Sequence, residues 1–264
     1  MSSKSTPNFF EQSEEDVLEQ NHNKLLKHIG QSDWSIQQKI ALACRKLASN
    51  GHAETLAGQV TVKAEDNTFW TNPLKGGFGN LTQSRVVRVD ENMEVVEGDG
   101  IPNPGVRFHL WIYRARSDVG AIVHTHPPYT SALSMTGKQL AVAHMDSTMF
   151  YNDCAYLSYY PGVPLANEEG KMISEALGER RAILLSNHGL LTVGKTLEEA
   201  TYLAIQFERA ARVQIMAESI GEIKQIGDKE AQEAHDFVLR DVVFFATFNA
   251  WCEQLLREQP DVAD

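Results

Sequence analysis

The sequence has no apolar run long enough to cross a bilayer. Its first twenty residues, MSSKSTPNFFEQSEEDVLEQ, also lack the apolar core of a secretory signal. A cytoplasmic protein with no membrane partner is therefore expected. Cysteine is scarce: Cys44, Cys154 and Cys252 are the only three in 264 residues, widely spaced and without a CxxC pair. That argues against a zinc knuckle or a disulfide framework and leaves reduced, mostly buried thiols. Positive charge is in deficit too, with 24 Lys and Arg against 35 Asp and Glu and a net charge of -11. Nucleic acid is not an expected partner, because affinity for it comes mainly from basic side chains meeting phosphates. A small-molecule substrate stays compatible, since a pocket can be locally positive within an acidic protein. No internal repeat or interdomain linker interrupts the chain, so it divides into a polar tail over residues 1–30 and one domain over residues 31–258.

What is present alternates between helical and strand periods. The tail has room for a peripheral helix over residues 14–29. Ile36, Ile40, Ala43, Cys44 and Leu47 recur at helical spacing, with Ser35 as a cap and Gly51 as a stop. Gln59-Val60-Thr61-Val62-Lys63 alternates, and Val86-Val87-Arg88-Val89 is rich in β-branched residues. Residues 72–79 (NPLKGGFG) are a loop, and residues 107–116 are predicted as a helix whose arginines Arg107, Arg114 and Arg116 lie on its surface or at an interface. Gly120-Ala121-Ile122-Val123-His124 is a short apolar strand suited to the centre of a covered sheet. Two further strands flank Asn187-His188-Gly189. A capping box at Thr196-Leu197-Glu198-Glu199 opens a long amphipathic helix, and a final helix is predicted over residues 231–257. The pattern predicts an α/β domain with helices on a mostly antiparallel sheet.

Three histidines stand out. His124-Thr125-His126 ends the apolar strand, and in extended chain residues i and i+2 face the same side, so both imidazoles can meet one cation. Pro127-Pro128 stops the strand there. His188, followed by Gly189, lies at another strand end. Three imidazoles on a rigid sheet would leave coordination positions open for substrate. The spacing alone leaves open that the three are unrelated polar residues at strand ends.

The segments AIVHTHPPYTSALSM (121–135), NHGLLTVGKTLEEA (187–200) and RFHLWIYRARSDVGAIVHTH (107–126) together resemble the class II aldolase/adducin head-domain family. The resemblance runs from about residue 36 to residue 217. It implies a single three-layer α/β/α domain and one divalent metal ion on His124, His126 and His188. Zinc is the first expectation for that ion; iron, manganese or cobalt are alternatives. It also implies a homo-oligomer, a tetramer with sites near subunit interfaces.

The chain departs from that family where chemistry is concerned. The acidic residue that sugar-phosphate aldolases carry before the RFH-type segment corresponds here to Gly105, which cannot transfer a proton. Asn103 and Pro104 stand where serines are usual, Gln59 stands for an Asn, and Asn72-Pro73-Leu74 replaces a Thr-Gly pair, so a phosphate cradle is incomplete. Asp146 and Tyr151 are the candidates for the acid–base role, with His144, His109 and His235 as further histidines that could join the site. The expected function is a metal-dependent lyase, of aldolase or decarboxylase type, on a small, non-phosphorylated hydroxy- or oxo-acid. Two alternatives accompany it. The stretches HTHPPYTSALSM, AHMDSTMFYNDCAYL and YYPGVPLANEEG are similar to the iron-dependent oxygenases of aminocoumarin-antibiotic biosynthesis, which implies a non-haem iron oxygenase of an aromatic oxo-acid. An adducin-like, non-catalytic interaction module is the other, though adducin heads lack an intact triad.

Overall fold

Ser35 opens the first helix of the domain by a reciprocal cap. Its hydroxyl accepts from the Gln38 amide at 3.2 Å while the Gln38 side chain accepts from the Ser35 amide at 2.9 Å. The computed structural model describes residues 12–28, 33–162 and 167–264. Within them α1 covers Glu14–His28 and α2 covers Ile36–Ser49, and Gly51 takes a φ of 78° where the chain turns away. Residues 1–11, 29 and 30 of the expected tail lie outside the described residues.

Eight strands follow: β1 (Gln59–Lys63), β2 (Phe69–Thr71), β3 (Val87–Val89), β4 (Val95–Glu97), β5 (Ala121–Thr125), β6 (Cys154–Leu157), β7 (Ala182–Leu185) and β8 (Gly189–Gly194). They form one sheet in the order β4-β3-β2-β1-β5-β8-β7-β6, antiparallel throughout except for the β6–β7 pair at one edge. The remaining helices are α3 (Val106–Ala115), α4 (Pro128–Ser134), α5 (Asn167–Leu177), α6 (Leu197–Glu218), α7 (Asp228–Val238) and α8 (Asp241–Glu258). Among the described residues no helix is long and apolar enough to cross a membrane.

Strand alternation divides the core in two. Ala121 and Val123 of β5, with Leu184 and Leu190, pack against Ile40 and Leu47 of α2, Leu203 and Phe207 of α6, and Phe244 and Phe248 of α8. Ile122, Ile183, Leu185, Leu191 and Val193 face the other way, against Phe108 and Ile112 of α3 and Ile173 and Leu177 of α5. Helices therefore cover both faces of a mostly antiparallel sheet, giving the three-layer α/β/α domain. By the same alternation, His124 belongs to the α3 face and Thr125 to the α2 face.

Two features differ from the sequence reading. The single final helix is two, because the chain leaves helical geometry at Leu239 and Arg240 between α7 and α8. Arg116 is buried rather than on the surface, its guanidinium bonded to Asp118 and to the carbonyls of Gly178 and Arg180. The three cysteines are free, with Cys44 and Cys252 buried and Cys154 half-buried. Burial pushes the Cys154 thiol up to about 12, so it carries no thiolate at neutral pH.

One buried carboxylate fixes the segment that follows the HTH motif. Pro128 starts α4 at a position that needs no amide proton, and Glu208 of α6 accepts from the Tyr129 amide (2.9 Å), the Thr130 amide (2.8 Å) and the Thr130 hydroxyl (2.7 Å). Glu208→Ala leaves two amides of a buried helix start without acceptors. It is expected to lower unfolding free energy by about 2–4 kcal/mol in urea titration.

Candidate metal centre

The centre is built by two strand ends and one turn. β5 and β8 pair with His124 opposite Leu191 and Thr125 opposite Leu190, so the chain leaving β5 at His126 meets the β7–β8 turn at Ser186–His188. In that turn Asn187 takes the positive φ of 56°, which asparagine tolerates, and its amide donates to the Ser134 carbonyl at the end of α4. Gly189 follows His188 at the start of β8. A Cβ there would stand 2.6 Å from both the His126 ring and the Thr125 carbonyl, so glycine is what lets His126 and His188 approach.

The three imidazoles converge. Their ring centroids are 4.8 Å (His124–His126), 4.8 Å (His124–His188) and 4.6 Å (His126–His188) apart. One nitrogen from each lies within 4.8 Å of the others, an arrangement that could hold a metal ion. Nδ1 of His124 is 2.8 Å from the Leu190 carbonyl, which can only accept. That assigns the proton to Nδ1 and leaves the Nε2 lone pair facing inward, 3.0 Å from Nε2 of His126. Nitrogens bound to one tetrahedral zinc at about 2.1 Å stand roughly 3.4 Å apart, so the cluster needs little movement to close on an ion. Phe108 packs edge-on against the His124 ring at 5.0 Å and holds its orientation.

Electrostatics favour neutral rings. Burial, reinforced by the His188 and His126 rings, holds His124 well below the ordinary imidazole value; burial lowers His126 as well, and burial with His126 brings His188 to about 4. Unprotonated imidazole is the form that binds a cation. The donor set therefore fits a divalent metal.

The other candidates lie elsewhere. Asp146 is bound by Arg209 at 2.6 Å, with its backbone amide donating to Nδ1 of the exposed His144 at 3.2 Å. Tyr151 lines a cavity of about 690 Å³ with Leu140, Arg180, Gln214 and Ile226, whose walls include none of the three histidines. Neither Asp146 nor Tyr151 has a hydrogen bond or ring contact with the triad among the described residues. His109 is fully buried behind Phe108, its Nδ1 2.9 Å from the Thr61 hydroxyl, and burial lowers it to about 3. His235 joins Asp153 and Asp236 in an ion-pair network on α7.

Sequence reading missed three residues beside the centre. Tyr160 places its ring 6.2 Å from that of His188 and is half exposed. His52, fully buried, sets Nδ1 2.8 Å from the hydroxyl of Thr125, between the two strand-end ligands. Glu208 anchors the helix after them. None carries a spacing signal: His52 is brought in from the turn after α2 and Glu208 from α6, by packing alone.

Known proteins share sequence and fold with this chain. The profile of the family described as class II aldolase and adducin N-terminal domain matches residues 38–215. Decarboxylase NovR of Streptomyces niveus is 32% identical over 228 residues, covering 84% of each chain. The 4-hydroxy-3-prenylphenylpyruvate oxygenase/4-hydroxy-3-prenylbenzoate synthase of Streptomyces roseochromogenus is 32% identical over 228 residues, covering 84% of this chain and 82% of that protein. Among solved structures, L-fuculose 1-phosphate aldolase from Glaciozyma antarctica superposes with a TM-score of 0.78 at 28% identity, over 98% of this chain and 97% of that one.

Proposed function

Since this chain belongs to the class II aldolase and adducin N-terminal domain family, we propose that it is a metal-dependent lyase acting on a small, non-phosphorylated hydroxy- or oxo-acid. The observation that carries the proposal is the convergence of His124, His126 and His188, with Gly105 of this chain offering no acid or base. A divalent cation held by the triad would supply Lewis acidity toward a carbonyl or carboxylate oxygen. Zinc is the proposed ion.

Decarboxylation is the favoured reaction. Aldol cleavage begins with proton removal, whereas loss of carbon dioxide from an acid with a carbonyl beta to its carboxylate breaks the carbon–carbon bond without a base, the electron pair passing into that carbonyl and the carbon taking up a proton afterwards. Tyr160, beside His188, is the proposed donor through Oη. Asp146 and Tyr151 remain proposed for acid–base work on their positions in the chain, behind Tyr160 because Arg209 already engages Asp146. Tyr160→Phe should lower turnover about 10²-fold while metal content is unchanged, since a positioned acid contributes that order of rate; steady-state kinetics with elemental analysis checks both. The chain's similarity to a Streptomyces decarboxylase supports this reading, and a tetramer in the cytoplasm is part of the proposal.

A non-haem iron oxygenase of an aromatic oxo-acid is the second reading, favoured by the equal similarity to the oxygenase of a prenylated phenylpyruvate. Imidazole ligands with open positions also suit iron. Carbon dioxide release from an oxo-acid under nitrogen supports the lyase; release that requires oxygen, with matching oxygen uptake, replaces it with the oxygenase. The intact triad speaks against an adducin-like module without chemistry.

A further inference from the structure

Gly105 has no conformational reason to be glycine. Its φ of -63° and ψ of -17° are ordinary right-handed helical values that any residue adopts. What forbids a side chain is Gln59: a Cβ at 105 would lie 2.8 Å from its Nε2 and 3.0 Å from its Cδ. The Gln59 amide therefore occupies the space beside α3 that a side chain at 105 would need.

That amide is next to the metal centre. Gln59 and His124 are direct partners in the β1–β5 register, and directly opposed residues of an antiparallel pair project on the same face with Cβ atoms about 5 Å apart. Gln59 is only 6% exposed, and its Oε1 is buried with no hydrogen-bond partner. A buried amide oxygen without a donor costs free energy unless something outside the chain supplies one. The neighbouring polar groups are already used: Asn103 accepts from the Gly105 amide at 3.0 Å and donates to the Leu56 carbonyl at 3.1 Å. Leu56 and Ile101, both exposed, line a cavity of about 680 Å³ together with Lys75.

We propose that Gln59 sets the substrate class at this centre: its amide oxygen accepts a hydrogen bond from the hydroxyl of a hydroxy acid held at the histidine triad. The inference rests on the proposed metal centre and deepens it. A neutral amide in that place brings no positive charge to offset a phosphate, and it cannot move a proton, which fits a reaction that needs no base.

The test compares two acids that differ by one hydroxyl, mandelate and phenylacetate, by calorimetric titration of the zinc-loaded protein. Wild type is expected to bind mandelate at least tenfold more tightly. Gln59→Met, which keeps the shape and removes the amide, should reduce that preference about tenfold, the worth of one hydrogen bond, with zinc content unchanged. Gly105→Ala should erode the preference too, by pushing the amide aside, and it remains informative if the methionine variant does not fold. An undiminished preference in both variants overturns the role of Gln59, and so does wild type that binds the two acids equally or not at all. Zinc that fails to bind wild type, or that His188→Ala retains, overturns instead the metal reading on which the inference rests.

Discussion

Replacing His188 with alanine is expected to strip the protein of its metal and to cut turnover of an oxo-acid by about 10³-fold or more. Losing a group that merely orients a metal ligand costs 10- to 100-fold, and His188 is itself one of the three donors whose nitrogens converge. The hairpin that carries it should survive. His188 is partly exposed in a turn whose geometry is set by Asn187 and by the Leu185–Gly189 pairing of β7 and β8, so the folded state loses little packing. Elemental analysis should show metal near one equivalent in wild type and near none in the variant, with the two thermal unfolding midpoints within a few degrees. Turnover that persists in metal-free variant would remove the Lewis-acid step from the account.

The second large effect concerns stability. Asp153 is 7% exposed and accepts from the Arg181 amide at 2.8 Å, from the Arg181 guanidinium, and from Nε2 of His235 at 3.3 Å. Arg181 continues to Glu199 at 3.0 Å, and His235 to Asp236 at 2.8 Å. The network thus ties α7 to the start of β6, to β7 and to the head of α6. Asp153→Ala leaves the arginine and histidine without their shared partner and should cost about 3–5 kcal/mol. The pH dependence follows from the two shifts. Burial alone would raise Asp153, but the His235 bond and the Arg181 charge outweigh it and hold the carboxyl below 3.8. Its contribution is present above that unfolded value and fades as pH falls through the lower folded one. The bond from Asp153 holds His235 above 6.5, against burial and with help from Asp236. That contribution is complete below 6.5 and lost as pH rises through the raised value. Wild type should therefore be most stable between the two, and Asp153→Ala should flatten the alkaline decline in urea-derived unfolding free energies. An unchanged alkaline slope would refute the linkage.

Much of this was legible in the sequence because the residues announce a period. β1, β5 and β8 alternate or are wholly apolar, α3 and α6 carry continuous stripes, and the HTH motif sits where a strand must stop. β2 and β4 are only three residues each, too short for a period to register. β6 lies at the parallel edge, in a stretch rich in Tyr and Asp that draws attention to candidate acid–base residues rather than to a strand. Pro127-Pro128 marks the end of a strand in the sequence, and Pro128 is equally the start of α4. The capping box at Thr196 is half formed: Thr196 accepts from the Glu199 amide, but the Glu199 carboxylate turns to the Lys195 amide and Arg181. The relation of Gly105 to Gln59, 46 positions apart in the chain, could not be read from either residue, because it depends on how closely α3 approaches β1.

Three imidazoles sharing one ion are the core of the proposed chemistry, and X-ray absorption at the metal edge of unsupplemented wild-type protein tests that arrangement. Three imidazole nitrogens at about 2.1 Å, with oxygen donors filling the remaining positions, is the predicted result. A metal-free protein, or an ion bound through sulfur or through fewer than three imidazoles, would contradict it.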